Sequence, residues 1–140
     1  MTEKNAVPAG FVMLASTSNF HELVGPLYEC RDDDSHRIGF VVAEKHRNRR
    51  GIVHGGMICT LADFAMGHAA SLAGSTPRKL VTVNLSIDFA GNATVGDWIE
   101  AHVDVMRPGN RVAFVNCFIY HGGERIARSS ATFQILRADE

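Results

Sequence analysis

The chain has 140 residues, which is enough for one domain with a real hydrophobic core that needs no metal or disulfide support. Its composition is ordinary for a globular protein, with 46% hydrophobic residues, 21% charged residues and a net charge of -1 at pH 7. This balance gives no electrostatic reason to expect nucleic acid or a membrane surface as a partner.

The cysteines and the N-terminus bear on the compartment. Cys30, Cys59 and Cys117 are odd in number, far apart and without a C-x-x-C pair, which predicts reduced thiols. The first residues lack the apolar core of a signal peptide, and no apolar stretch approaches membrane-spanning length. We therefore expect one cytoplasmic domain over residues 1–140, with residues 1–17 poorly ordered or peripheral.

The first half of the chain predicts a few short elements and one long helix. A short helix over residues 18–24 is followed by strands over 27–30 and 37–43, an acidic turn between them, and a polar loop over 44–53. Residues 57–73 then form the only long helix, whose apolar residues occupy every face. A helix of this kind belongs in the interior of a fold.

The second half predicts strands. Apolar and polar residues alternate over 81–89 and 99–105, and two more strands follow over 112–120 and 126–136, separated by turns rich in glycine. We expect these four strands to form an antiparallel meander, because strands joined by short turns are usually neighbours. The fold class is α+β, with a curved antiparallel sheet around one central helix.

Asp63 is unexpected on so apolar a helix. A buried carboxylate without partners costs several kcal/mol, so such groups are rare unless they are paired or functional. A structural role remains open, in which Asp63 caps a nearby loop or lies on an exposed stripe with Thr60. The functional interpretation is a catalytic carboxylate.

The start of the same helix has the features of an oxyanion site. Gly55 and Gly56 let a substrate approach the backbone closely, and the first helical N–H groups have no partners within the helix. They can bind a carbonyl oxygen as it becomes negative. The alternative is simply a tight turn into the helix.

The spacing of these two features constrains the assembly. Eight residues of helix separate Gly55 from Asp63 by roughly 12 Å, whereas a nucleophile and an oxyanion donor must converge on one carbonyl carbon. If both act, Asp63 of one subunit must face Gly55 of another. Catalysis therefore predicts an isologous dimer with two shared sites.

These residues carry a resemblance to a known family. The chain resembles hotdog-fold acyl-CoA thioesterases of the phenylacetate-pathway branch, on the motif Asn48-x5-His54-Gly55-Gly56-x6-Asp63 and the strand that contains Thr82. The resemblance extends over nearly the whole chain from residue 20. It implies the hotdog fold, an acyl-CoA substrate, a homodimer that can pair into a dimer of dimers, and no cofactor.

The resemblance also implies roles for particular residues. Asp63 corresponds to the general base or nucleophile, and Gly55 to the backbone N–H that polarises the thioester carbonyl. Asn48 and Thr82 correspond to residues near the attacking water. Apart from these roles, His54, Gly56 and Arg111 are expected to contact the substrate, with a hydrogen bond to a backbone group as the alternative for His54.

Several alternatives remain open at this point. The chain can instead be an acyl-CoA-binding hotdog protein without turnover, and the basic run over 45–50 is either a solvated loop or a contact for CoA phosphates. No metal is expected. His68 is interpreted as an interior histidine with its hydrogen bonds satisfied, because no other ligand stands at a suitable spacing from it.

Overall fold

The computed structural model describes residues 3–137, apart from the side chains at positions 107 and 108. Within these residues the chain forms one sheet, two α-helices and a single 3-10 turn at Glu44–His46. The elements in order are β1 (Val12–Met13), α1 (Asn19–Val24), β2 (Tyr28–Arg31), β3 (His36–Val41), α2 (Gly55–Ser71), β4 (Leu80–Phe89), β5 (Trp98–Pro108), β6 (Val112–His121) and β7 (Glu124–Ile135).

The sheet has seven antiparallel strands in the order β1-β2-β3-β5-β6-β7-β4. The expected meander holds for β5, β6 and β7, but the neighbour of β4 is β7 and not β5, so that part of the prediction is wrong. The reason lies in the connection over residues 90–97, which is no tight turn. It runs past the start of α2, where Val53 N donates to Ala93 O at 2.8 Å.

The hairpin between β6 and β7 shows how local sequence determines the register. Gly122 and Gly123 have φ angles of 57° and 85°. A two-residue hairpin loop favours positive φ at both central positions, which glycine adopts without strain. The turn pairs His121 with Glu124 and so aligns the buried faces of both strands.

The concave side of the sheet holds α2. The helix packs on β3, β4, β5, β6 and β7, and the interior between them contains the large side chains Phe40, Ile38, Leu61, Met66, Ile99 and Ile119. Burial of this apolar surface is the main driving force for the fold.

One stripe of α2 remains half-exposed in the single chain. Cys59, Thr60, Asp63, Gly67 and His68 lie on it, so the expectation of a helix enclosed on every face is wrong for one subunit. The helix also begins at Gly55, two residues earlier than expected, because His54 caps it. None of the described helices is both long and apolar enough to cross a membrane.

Candidate active site

The start of α2 presents one free backbone donor. His54 is the N-cap, and its Nδ1 accepts a hydrogen bond of 2.8 Å from Gly56 N–H. The N–H groups of Met57 and Ile58 donate to His54 O. Among residues 3–137, the Gly55 N–H has no protein acceptor. His54 thus acts as a cap, and Gly55 supplies the N–H that remains available.

Asp63 and Thr82 lie together, as their predicted roles require. Thr82 Oγ1 donates to Asp63 Oδ1 at 2.7 Å. This hydrogen bond orients the carboxylate and leaves Oδ2 for another donor. Asp63 is half-exposed on the stripe that also carries Thr60. The carboxylate therefore keeps access to water.

Gly55 and Asp63 do not meet within one chain. They lie eight residues apart on the same continuous helix, at roughly 12 Å. A Cβ at Gly55 would lie 3.4 Å from the ring of Phe89, at one end of β4, whereas Asp63 contacts Thr82 near the other end. One subunit thus contains two candidate half-sites, one at Gly55 and one at Asp63, near opposite ends of β4.

Asn48 lies in a small loop that leads into α2. Arg47 and Val53 form an isolated β-bridge, and Asn48 Oδ1 accepts from the N–H of Arg50 at 2.8 Å and of Ile52 at 3.3 Å. Its oxygen therefore holds the loop together. Contact between Asn48 and a water or thioester stays a prediction.

Arg111 is remote from Gly55 in this chain. It lies in the turn before β6, where its carbonyl accepts from Ile135 N at 2.8 Å. Ile135 pairs with Leu80, at the opposite end of β4 from Phe89. Within one subunit, only the Asp63 half-site is at that end.

A pocket of about 400 Å³ opens beside the start of α2. Its lining is mostly apolar, and His54 and Gly56 form one side of it. The other lining residues are Phe20, Leu23, Val24, Lys45, His46, Met57 and Thr60. An apolar pocket next to a free N–H is a suitable place for an acyl group.

A cluster of ionisable side chains lies outside these half-sites. Glu29 Oε2 on β2 is 2.6 Å from His36 Nε2 on β3 and 2.8 Å from His68 Nε2 on α2. The expectation that no ligand partner approaches His68 is wrong. The β2–β3 hairpin brings both partners over the helix, and this tertiary contact across 39 residues leaves no spacing signal in the sequence.

Burial and hydrogen bonds shift the pKa values of Glu29 and His36 in this cluster. Burial alone raises the pKa of Glu29, but the hydrogen bonds from both histidines outweigh it and hold that pKa below its ordinary value. Burial also lowers the pKa of His36 more than the Glu29 contact raises it. At neutral pH these shifts favour an ionised Glu29 carboxylate and a neutral His36 imidazole.

Known proteins match both the sequence and the fold. The family model of the Thioesterase superfamily matches residues 50–133. The chain is 38% identical over 131 residues to "Putative esterase PA0474" of Pseudomonas aeruginosa, which covers 92% of this chain and 97% of that protein.

Solved structures give the same fold. The Escherichia coli PaaI protein from the phenylacetic acid degradation operon superposes with a TM-score of 0.76, at 20% identity, over 86% of each chain. The BH2602 protein of Bacillus halodurans, solved with CoA, superposes with a TM-score of 0.71 at 24% identity, over 79% of this chain and 74% of that one.

A curved antiparallel sheet around one long helix, which starts at His54-Gly55-Gly56, defines a hotdog-fold protein. The chain belongs to the thioesterase superfamily. The resemblance and the fold class inferred from the sequence are both confirmed, and thioester hydrolysis is the chemistry of this family.

Proposed function

We propose that the protein hydrolyses acyl-CoA thioesters at a site shared between two subunits. The carrying observation is the pair of separated half-sites on α2, a carboxylate oriented by Thr82 and a free N–H at Gly55. Neither half-site can hydrolyse a thioester efficiently alone, because attack and oxyanion stabilisation must act on the same carbonyl.

The chemistry requires few groups. Asp63 removes a proton from a water molecule while the oxygen of that water attacks the thioester carbonyl. The partner's Gly55 N–H stabilises the oxyanion that forms. Collapse of this intermediate breaks the C–S bond and expels CoA as the thiolate, which takes up the proton that Asp63 removed from water. Direct attack by Asp63 would form a mixed anhydride, which water then hydrolyses, and the same atoms serve both routes.

The exposed edge of the sheet supports the dimer. In the described chain β4 pairs only with β7, and its side chains Val81, Val83 and Phe89 are 47%, 63% and 52% exposed. An uncovered apolar edge strand tends to pair with another chain. Two β4 strands that pair antiparallel across a two-fold axis would place the α2 helices antiparallel. Each Asp63 would then approach the partner's start of α2.

The surroundings of Gly55 support the substrate class. The 400 Å³ pocket beside it suits an acyl group, and the Bacillus halodurans neighbour binds CoA. In the basic loop, Lys45 Nζ donates to Gly25 O and Arg47 pairs with Glu44. Exposed Arg49 and Arg50 are the residues of this loop proposed to contact CoA phosphates.

A dimer of dimers is proposed through the outer face of the sheet. On β6 the buried residues alternate with Phe114 and Phe118, which are 52% and 37% exposed and point away from α2. This face is separate from the β4 edge, so one chain can make both contacts.

The direct test is release of free CoA from a panel of aromatic and aliphatic acyl-CoAs. Asp63→Asn keeps the shape and removes the base, and we expect kcat/KM to fall by about 10²–10⁴. The matched control is Glu124→Gln, which alters an exposed carboxylate at the β6–β7 turn, outside both half-sites and the β4 edge. An exposed carboxylate without a role in the site contributes little to stability, so activity should be unchanged.

Two results would overturn the proposal. Full turnover by Asp63→Asn would remove Asp63 from the chemistry. Tight binding of acyl-CoA by the wild type, without CoA release from any substrate, would instead make the protein a carrier or sensor of acyl-CoA.

A further inference from the structure

Glu29, His36 and His68 form a constellation that the hydrolytic site does not use. The three side chains come from β2, β3 and α2, and each offers one ligand atom, all within 4.8 Å of one another. Their side chains are 22%, 12% and 22% exposed. The carboxylate oxygen lies between two imidazole nitrogens, at 2.6 and 2.8 Å.

We propose that these three residues bind a zinc ion, with two imidazole Nε2 atoms and one carboxylate oxygen as ligands. This donor set matches the two-histidine, one-carboxylate sites that leave a fourth position of the tetrahedron open. The same nitrogen and oxygen donors can also bind other divalent transition metals, so the donor set alone does not make the site specific for zinc.

Binding of the ion requires rearrangement of all three side chains. Ligand atoms about 2.0–2.2 Å from zinc in a tetrahedron lie about 3.4 Å apart. The Glu29 oxygen, which is 2.6 and 2.8 Å from the two nitrogens, would move away from them by roughly 0.6–0.8 Å. All three ligand atoms lie within 4.8 Å of one another, so the two nitrogens would approach each other by at most about 1.4 Å, through rotation of both imidazole side chains.

A pocket of about 240 Å³ opens on the His36 side of the cluster, and neither Glu29 nor His68 lines it. His36 lines it, together with the acidic turn at residues 32–34 and Asp104. Arg31 is the opposing cation in the lining. With four carboxylates and one guanidinium in its lining, this pocket attracts divalent cations to the surface beside His36.

The bound ion would join two parts of the fold. The β2–β3 hairpin lies at one side of the sheet, and His68 lies on α2, stacked against Phe64 at 5.6 Å between ring centres. Zinc would tie the hairpin to the helix and stabilise the folded state, because a ligand that binds only the folded chain raises its stability. The proposed effect of the ion is on stability, and none of its three ligands belongs to the half-sites proposed for thioester hydrolysis.

The experiment uses the whole protein after chelator treatment and exhaustive dialysis. Zinc binding is measured by equilibrium dialysis with elemental analysis, and Co²⁺ serves as a spectroscopic probe of tetrahedral coordination. We expect one Zn²⁺ per chain, visible Co²⁺ absorption and a rise in Tm when Zn²⁺ is added. His36→Gln and His68→Gln should each weaken Zn²⁺ affinity at least tenfold and abolish the Co²⁺ spectrum.

The chain offers a matched control in His102. Its Nε2 contacts Glu100 at 2.8 Å, but no second imidazole joins that pair. His102→Gln should bind Zn²⁺ as the wild type does. Circular dichroism checks that every variant is folded. Absence of zinc binding by the wild type would overturn the proposal, and so would equal affinity in the wild type and both folded ligand variants.

Discussion

At the scale of single residues, the candidate site depends on a few hydrogen bonds that hold groups in place. His54 takes up the Gly56 N–H and leaves the Gly55 N–H free. Thr82 holds one oxygen of Asp63. In each case one residue positions a group and another would act on the substrate: His54 and Thr82 position, whereas Gly55 and Asp63 would act.

Thr82 provides a prediction at this scale. Thr82→Val keeps the size of the side chain and removes the donor to Asp63. A hydrogen bond to a charged group is worth about 1.5–3 kcal/mol, so we expect kcat to fall roughly 10- to 100-fold with KM nearly unchanged. Steady-state kinetics on an acyl-CoA substrate measure both constants.

The control is Thr82→Ser, which retains the hydroxyl and should keep most of the activity. Thr82 is exposed on an edge strand, so neither change should alter the fold. Equal rates for the valine and serine variants would show that the hydroxyl does not orient Asp63.

Sequence reasoning could propose candidate site residues where the relevant features are local. The capped glycines at the helix start and the unusual Asp63 are readable within one element. The triad of Glu29, His36 and His68 was missed, because its members meet only when the hairpin folds over α2. Long-range contacts of this kind leave no periodicity to detect.

At the scale of elements, the loop before α2 is more ordered than its basic composition indicates. His46 is buried, its Nδ1 accepts from Ala43 N–H at 2.9 Å, and its Nε2 lies 2.6 Å from Val24 O. Its ring also packs edge-on against Phe40. His46 thus connects the end of α1 to the loop and to the core.

The pH dependence of stability follows from this contact. Burial lowers the pKa of His46 below its ordinary value of 6.5, more than the Val24 contact raises it. The unfolded chain therefore binds more protons than the folded one as pH falls through 6.5. The stability that depends on neutral His46 is present above that pH and is lost below it.

We expect His46→Gln to be less stable than the wild type at pH 8, by about 1 kcal/mol for the hydrogen bond lost. The difference should shrink between pH 7 and pH 5, because glutamine does not titrate. Urea unfolding at several pH values measures it, and the other titrating groups cancel in the comparison. A difference that stays constant with pH would contradict a neutral, buried His46.

The order of the strands shows where pattern reasoning fails. Alternation predicted the four long strands within one or two residues at most ends. It could not predict that β4 pairs with β7, because alternation determines which face is buried and carries no information on the neighbour. The connection over residues 90–97, which leads from β4 to β5, contacts the loop before α2.

At the scale of the whole molecule, the proposed site requires an assembly of two chains. The stripe of α2 that carries Asp63 and the apolar edge of β4 are both uncovered in one subunit. The spacing of Gly55 and Asp63 could be predicted from the sequence, and the structure keeps the two residues apart on one continuous helix. A monomer would leave both half-sites incomplete.

Gly55 can be altered without losing the helix. It is the first helical residue, where proline is well tolerated, and His54 has the extended conformation that precedes proline. Gly55→Pro therefore removes the N–H with little strain. Gly55→Ala is its control, because the added Cβ makes only ordinary contact with Phe89 at 3.4 Å and the N–H remains.

The decisive measurement mixes Asp63→Asn and Gly55→Pro subunits, each inactive as a homodimer. A hybrid dimer contains one site built from the intact Asp63 of one chain and the intact Gly55 of the other. Random exchange should restore about a quarter of wild-type CoA release, since half of the dimers are hybrid and each has one working site. Native mass spectrometry shows whether the subunits have exchanged. If they have exchanged and no activity is recovered, the shared site is contradicted.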